Sequence, residues 1–250
     1  MPKIVVFDSG LGSLSVIRPI QKRIRAEIIY FADQENYPYG KKTRPQLEKI
    51  IKNTILKLQE KFDPDIIIVG SNTPTILLDI EKKYKIIGVS PPLKEAISKT
   101  RSGKIGILAT KAVVKSKSFD KYIRKNVSSK IQVSKINATQ LVDLVESGKF
   151  LSKKQQSINI IKNTIMPYLE KNVDVFTLSS THLPFLLPIL KNLFPNVQLL
   201  DPADSVAKRI SKILKHKRSK SSLKIYASGN VEKFHKRLIK IGIKNKVRPL

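Results

Sequence analysis

Short apolar runs alternate with segments of helical periodicity along the whole chain, and this alternation limits the possible folds. We predict strands at residues 4–7, 28–31, 66–69, 86–89, 105–108, 173–178, 198–200 and 223–227. Several are continuous β-branched stretches without polar alternation, which is typical of parallel strands covered on both faces. Apolar residues recur at spacings of three and four over residues 47–58, 158–169 and 206–214. The pattern predicts an α/β fold with mainly parallel sheets flanked by helices.

Two proline-containing sites divide the chain. Pro91-Pro92 follows the fourth predicted strand, and Asp201-Pro202 follows the seventh. A chain of 250 residues is long enough for two small domains. We therefore predict a first α/β lobe made of residues 1–92 and 205–250, and a second made of residues 93–204.

The composition removes several classes of site. The chain has no cysteine, so it cannot contain a disulfide, a thiolate metal site or a cysteine nucleophile. His182, His216 and His235 are scattered and lack acidic partners at metal-ligand spacing, so we expect no metal centre. No apolar run approaches the roughly 18–20 residues that span a bilayer, and Asp8 comes too early for a signal peptide. These features predict a soluble, cytoplasmic protein.

The charge balance leaves two interpretations open. Forty-eight Lys and Arg residues against nineteen Asp and Glu give a formal net charge of +29. Either lysines coat solvated helix faces, or a basic surface binds nucleic acid. The densest patch, residues 208–224, has eight Lys or Arg residues and no acid. It also has no aromatic residue for base stacking, which disfavours the nucleic-acid interpretation.

An internal repeat places polar residues after two strands. Residues 65–74 and 174–184 both begin with aspartate, continue as an apolar strand, and reach a serine six positions later, Ser71 and Ser180. A third polar strand end lies at residues 8–10. Because the carboxyl ends of strands line the ligand crevice in open α/β sheets, the three ends predict one polar pocket. The alternative is that these residues are only helix caps.

Two other motifs resemble known functional signatures but lack features that those signatures require. The Gly10-x-Gly12 pair after the first strand lacks the third glycine of a dinucleotide fingerprint, and Asp8 would repel a pyrophosphate. His182 follows Ser180 by only two residues, which is too local for a hydrolase triad. We therefore predict neither a dinucleotide site nor a hydrolase.

Seven sequence blocks follow one another along almost the full length of the chain. They are residues 7–10, residues 30–33 with 38–40, and residues 71–73, 106–110, 144–148, 180–184 and 201–203. In this order they resemble the motifs of the glutamate racemases, a family of the cofactor-independent aspartate/glutamate racemase superfamily.

The resemblance implies two pseudosymmetric lobes with the active site between them, and a cytoplasmic homodimer that supplies a D-amino acid for cell wall biogenesis. It implies racemisation of glutamate or a similar acidic amino acid by two-sided proton transfer at the α-carbon, without cofactor or metal. Its implied substrate-binding residues are Asp8, Ser9, Tyr39, Gly40, Asn72, Thr73, Thr110, Thr181 and His182. Its implied catalytic residues are Ser71 and Ser180 on opposite faces of the substrate, with Asp8, His182 and Glu146 as auxiliary acid–base groups.

Three of these residues have a purely structural alternative. Glu146 is also compatible with a solvated position near a helix end. His182 is also compatible with a capping or core histidine whose ring is satisfied by backbone groups. Tyr39 is also compatible with a turn aromatic after Pro38.

The chain departs from the family pattern at both reactive positions. Ser71 and Ser180 stand where the family has cysteines. A thiol has a pKa of about 8.5, whereas a serine hydroxyl is a much weaker acid and needs an adjacent base. Either Asp8 activates Ser71 and His182 activates Ser180, or the pocket only binds or redirects a dicarboxylate, or both cysteines were replaced deliberately.

Two neighbouring differences favour natural divergence. Ser179 replaces the usual glycine before the second reactive position, and Val113 stands where threonine is common. Deliberate replacement of two cysteines would leave such neighbours unchanged.

Overall fold

The structure, a computed structural model, describes residues 1–84, 86–214 and 221–250. Its strands form two sheets, and every strand pair in them is parallel. The first sheet contains β1 (Lys3–Asp8), β2 (Glu27–Ala32), β3 (Ile66–Val69), β4 (Ile87–Gly88), β9 (Ser222–Ala227) and β10 (Val247–Pro249), in the order β10-β9-β2-β1-β3-β4. The second contains β5 (Lys104–Ala109), β6 (Gln132–Asn137), β7 (Val175–Leu178) and β8 (Gln198–Leu200), in the order β6-β5-β7-β8.

Helices cover both sheets and connect their strands. They are α1 (Leu14–Arg23), α2 (Arg44–Phe62), α3 (Asn72–Leu78), α4 (Ile80–Tyr84), α5 (Leu93–Lys99), α6 (Lys111–Val114), α7 (Lys117–Asn126), α8 (Thr139–Glu146), α9 (Lys149–Ser152), α10 (Lys154–Leu169), α11 (Leu187–Leu193), α12 (Ala203–Ile213) and α13 (Val231–Lys240). Short 3₁₀ helices lie at Gln34–Asn36, Tyr39–Lys41 and Leu183–Leu186. The predicted α/β fold with parallel sheets is confirmed.

Alternate residues of each central strand enter different hydrophobic cores. In β1, Ile4 and Val6 pack into the core that contains α1 and α12, whereas Val5 and Phe7 pack against α2. In the second sheet, Ile107 of β5 faces away from the core that holds its neighbour Leu108. Burial on both faces explains why these strands read as continuous apolar runs.

The chain crosses between the sheets twice. It leaves the first sheet after β4 and returns after β8, where α12 packs against α1 of the first sheet through Val206 and Ile210. Asp201 and Pro202 lie at this return. The passage to the second sheet therefore lies between β4 and β5, and the return lies between β8 and α12.

Strand prediction succeeded where the strand is buried and failed at two edges. Each predicted strand lies within two residues of an observed one at both ends. The structure adds β6 and β10, which the sequence did not indicate. β6 buries only Ile136 of its six residues, and β10 buries only Val247 and contains Pro249, a residue tolerated at a sheet edge.

The predicted basic patch at residues 208–224 lies partly outside the described residues, because it includes residues 215–220 and with them His216. Two of its described members have acidic partners. Arg209 pairs with Glu81 at 2.6 Å, and Lys224 pairs with Glu27 at 2.5 Å.

Among residues 1–84, 86–214 and 221–250, no helix combines the length and the apolar character of a membrane span.

Candidate active site

The polar strand ends of both sheets meet at one cavity of about 440 Å³. β1 and β3 are neighbours, so the segments after Asp8 and after Val69 leave the first sheet side by side. β5 and β7 hold the same relation in the second sheet. The cavity is lined by nearly all the residues that the sequence suggested, namely Asp8, Ser9, Tyr39, Gly40, Ser71, Asn72, Thr73, Thr110, Ser180, Thr181 and His182.

Asp8 lines the same cavity as Ser71. Its side chain is buried, and Oδ1 accepts a hydrogen bond from the Ser9 N–H at 2.7 Å. Oδ2 accepts none from the part of the chain that the structure describes. Burial raises the pKa of Asp8 from 3.8 to about 6, although the charge of His182 and the Ser71 hydroxyl both act to lower it. Asp8 can therefore both accept and release a proton near neutral pH.

A hydrogen-bonded chain stands behind the other serine. Ser180 Oγ lies 3.5 Å from Nδ1 of His182, and Nε2 of the same ring lies 2.8 Å from Oε1 of Glu146. Ser180 and His182 are therefore in contact although they are only two residues apart in the sequence. Because the Glu146 carboxylate can only accept, Nε2 carries a hydrogen and Nδ1 is left to face the serine.

Glu146 and His182 form a buried ion pair. Burial alone would lower the pKa of His182, but the hydrogen bond to Glu146 and the charge of that carboxylate raise it. Burial alone would raise the pKa of Glu146, but His182, the Leu11 N–H and Arg237 together lower it. The imidazolium form is therefore favoured, and it holds a proton that can be donated to Ser180.

Glu146 itself does not line the cavity. It is buried behind the His182 ring, where Oε1 also accepts from the Leu11 N–H at 2.6 Å and Oε2 accepts from Arg237 at 3.1 Å. The alternative of a solvated glutamate is wrong, since its exposed fraction is 6%. Its position suits a group that orients His182, rather than one that touches a ligand.

The helix-cap alternative fails for two key side chains. Ser71 occupies the N-cap position of α3, yet its side chain makes no capping hydrogen bond. His182 precedes the 3₁₀ helix Leu183–Leu186, and its side chain also makes no capping bond. The polar atoms of Ser71 and His182 are therefore available for contacts other than helix capping.

Several cavity residues offer unused or flexible hydrogen-bonding groups. The carboxamide of Asn72 is buried, and neither its oxygen nor its nitrogen has a partner among the described residues. Thr73 and Thr110 face each other across the two sheets at 3.4 Å. An unpaired buried amide is costly unless a ligand or water satisfies it, which makes Asn72 a candidate ligand contact.

Tyr39 follows Pro38 in a 3₁₀ helix, where it is buried and held by hydrogen bonds. Its hydroxyl donates to Asp33 at 2.9 Å, and Asp33 also accepts from Asn36 at 2.8 Å and from Ser228 at 3.3 Å. Burial raises the pKa of Asp33, and these donors lower it in part. This network fixes the loop that forms one wall of the cavity.

The glycines after β1 allow the second sheet to approach closely. A Cβ on Gly12 would lie 2.5 Å from His182 Nδ1, and a Cβ on Gly10 would lie 1.8 Å from Glu146 Oε1. The Gly-x-Gly pair therefore serves contact between the two halves of the site. Thr181 strengthens this contact by donating to the Gly70 carbonyl at 2.9 Å.

The structure also brings to the site residues that sequence reasoning missed. Among these additional lining residues are Tyr37, Lys41, Lys111, Lys115 and Asp143. Lysine is so abundant here that three rim lysines carry no sequence signal. Among the described residues, no three His, Asp or Glu side chains converge as metal ligands, and His235 does not line the cavity.

Similar proteins share this architecture. No family model matches the chain. A glutamate racemase of Herpetosiphon aurantiacus is 31% identical over 217 residues, covering 84% of this chain and 84% of that protein. One of Aliarcobacter butzleri is 32% identical over 235 residues, covering 88% and 86%. The crystal structure of Escherichia coli glutamate racemase in complex with L-glutamate and the activator UDP-MurNAc-ala matches with a TM-score of 0.83 at 25% identity, covering 100% and 98%.

Proposed function

The chain belongs to the family of glutamate racemases, which are cofactor-independent isomerases, and we propose that it interconverts L- and D-glutamate with Ser71 and Ser180 in the place of the usual reactive pair. The observation that carries this proposal is the shared cavity. Both hydroxyls line it, and each has its own buried titratable neighbour, Asp8 on one side and His182 on the other.

In one direction Ser71 removes the α-proton. The Cα–H bond breaks, the proton goes to Oγ of Ser71, and the hydroxyl proton passes to the Asp8 carboxylate. The carbanion then takes a proton from the Ser180 hydroxyl on the opposite face. Nδ1 of the His182 imidazolium supplies the replacement proton. The reverse reaction runs through the same groups in the opposite order, with neutral His182 as the base and protonated Asp8 as the acid.

The charge of the lining supports an acidic substrate. Lys41, Lys111 and Lys115 line the cavity and would attract a dicarboxylate. Asn72, whose amide has no partner among the described residues, could bind a carboxylate or an ammonium group. The Escherichia coli relative holds L-glutamate in its crystal structure. Glutamate is therefore the first substrate to test.

Racemisation is measured directly by circular dichroism of L- and of D-glutamate incubated with the protein. We expect slow turnover in both directions, because a hydroxyl is a weaker acid–base group than a thiol. S71A and S180A should each lower kcat by at least about 100-fold, the usual contribution of a positioned acid or base. Ser98→Ala, at a surface helix, is the matched control. Calorimetric binding of glutamate without turnover would instead identify a binding protein that has lost the reaction.

We further propose that the enzyme is a cytoplasmic homodimer that supplies D-glutamate for cell wall biogenesis, as the family resemblance implies. The separation into a first lobe of residues 1–92 and 205–250 and a second of residues 93–204 belongs to the same proposal. Sedimentation equilibrium tests the dimer, and a monomer at micromolar concentration would contradict it.

A further inference from the structure

Arg237 lies outside the cavity but contacts the proton-transfer machinery. It is on α13, beside the first sheet, and its side chain is about one quarter exposed. One guanidinium nitrogen donates to Glu146 Oε2 at 3.1 Å, and the other donates to Gln34 Oε1 at 3.1 Å. Gln34 in turn donates to the Ser9 carbonyl at 2.5 Å. The contact with Gln34 therefore ties the guanidinium to the loop that follows β2 of the first sheet. The contact with Glu146 ties it to α8, which packs against the second sheet.

The two oxygens of Glu146 are divided between different donors. Oε1 accepts from the Leu11 N–H and from His182 Nε2, while Arg237 is the donor found for Oε2. With both oxygens held, the carboxylate cannot rotate away from the imidazole. The ring keeps Nε2 toward Glu146 and therefore keeps Nδ1 toward Ser180.

The charge of Arg237 has a second effect. Glu146 is almost fully buried, and burial by itself favours its neutral form. The groups that act on it electrostatically come from several elements: Asp8 of β1, Tyr30 of β2, Tyr37, His182 after β7 and Arg237 of α13. Of these groups, His182 and Arg237 are the two cations, and both favour the ionised form of Glu146.

We propose that Arg237 is a positioning residue for the Ser180 side of the racemase site, holding Glu146 ionised and oriented so that His182 can exchange a proton with Ser180. This role rests on the proposed function. A surface arginine on a helix that lines no part of the cavity thus controls one of the two proton-transfer faces.

The test compares R237Q and R237M with R237K. Lys236→Gln is the matched control, because it removes one positive charge from the exposed side of the same helix. Titration of the Glu146 side-chain carboxyl by ¹³C NMR needs no activity. We expect its pKa to rise in the two neutral variants and to stay near the wild-type value in R237K and K236Q.

The kinetic measurement separates positioning from general damage. In R237Q, kcat should fall about 10- to 100-fold while KM changes less than about twofold, because Arg237 does not line the cavity. In deuterated water, α-hydrogen exchange in R237Q should persist for the enantiomer deprotonated by Ser71 and fall by about 10- to 100-fold for the other. A structural defect would reduce both equally.

An unchanged Glu146 titration together with wild-type kcat overturns the proposal. So does the failure of both neutral variants to fold while K236Q folds, since Arg237 would then be a structural residue. If the wild-type protein itself does not racemise glutamate, the proposed function fails, and the carboxyl titration still decides whether Arg237 controls Glu146.

Discussion

Replacing Asp8 by asparagine should stabilise the protein while it removes activity. Asn has nearly the same shape, and its Oδ1 can still accept the Ser9 N–H that Asp8 accepts at 2.7 Å. What it removes is a carboxylate that is buried in the cavity wall with Oδ2 unpaired among the described residues. Active-site groups held in such unfavourable surroundings commonly cost stability.

The size of the effect follows from the pKa of Asp8. Burial raises it from 3.8 to about 6, which corresponds to about 3 kcal/mol at about 1.4 kcal/mol per pKa unit. A carboxyl whose pKa is raised on folding destabilises the folded state above that pKa. The cost disappears as the pH falls through about 6 toward 3.8, because the folded state then binds the proton first.

Urea unfolding of wild type and D8N between about pH 4 and about pH 8, a range that spans the pKa of Asp8 in the folded state, measures this difference. We expect D8N to be more stable by up to about 3 kcal/mol at the alkaline end and nearly equal at the acidic end. Asp79→Asn, at an exposed position, controls for the change in net charge. A stability difference that stays constant across this range would refute the reasoning, and wild-type racemisation by D8N would remove Asp8 from the mechanism.

Three further substitutions test other parts of the site. E146Q should lower the pKa of His182, which ¹H–¹⁵N NMR measures, and should lower kcat at least about 100-fold; an unchanged His182 titration would contradict the ion pair. Gly12→Ala places a Cβ 2.5 Å from His182 Nδ1 and should cost about 1–3 kcal/mol in thermal or urea unfolding, so wild-type stability would contradict the close approach. S71C combined with S180C should raise kcat, by about 100-fold or more if hydroxyl acidity limits the rate, and a lower kcat would show that the cavity has adapted to serine.

The sequence predicted the buried part of the fold because burial leaves a simple signal. β1, β3 and β5 are covered on both faces and consist mainly of apolar residues, so their positions are evident from the sequence pattern. β6 lies at an edge of the second sheet with most of its residues at least partly exposed, so its alternation gives little contrast. Its pairing with β5 is a tertiary effect that local pattern does not encode.

The sequence likewise predicted some residues of the candidate site and missed others. Ser71 and Ser180 are found from sequence because each ends an apolar strand within a repeat. Arg237 is not, because it is one of forty-eight Lys and Arg residues and reaches Glu146 across 91 positions of sequence. Only the packing of α13 against the first sheet brings Arg237 within reach of Glu146, which lies at the end of α8.

The most direct evidence for two opposed serines is the fate of the α-hydrogen in deuterated water. Wild-type protein should introduce deuterium at the α-carbon of both L- and D-glutamate, and the inverted product formed at early times should carry the label, which NMR and chiral chromatography detect together. Absence of deuterium from both enantiomers, at every pH where the protein remains folded, would contradict proton transfer by Ser71 and Ser180.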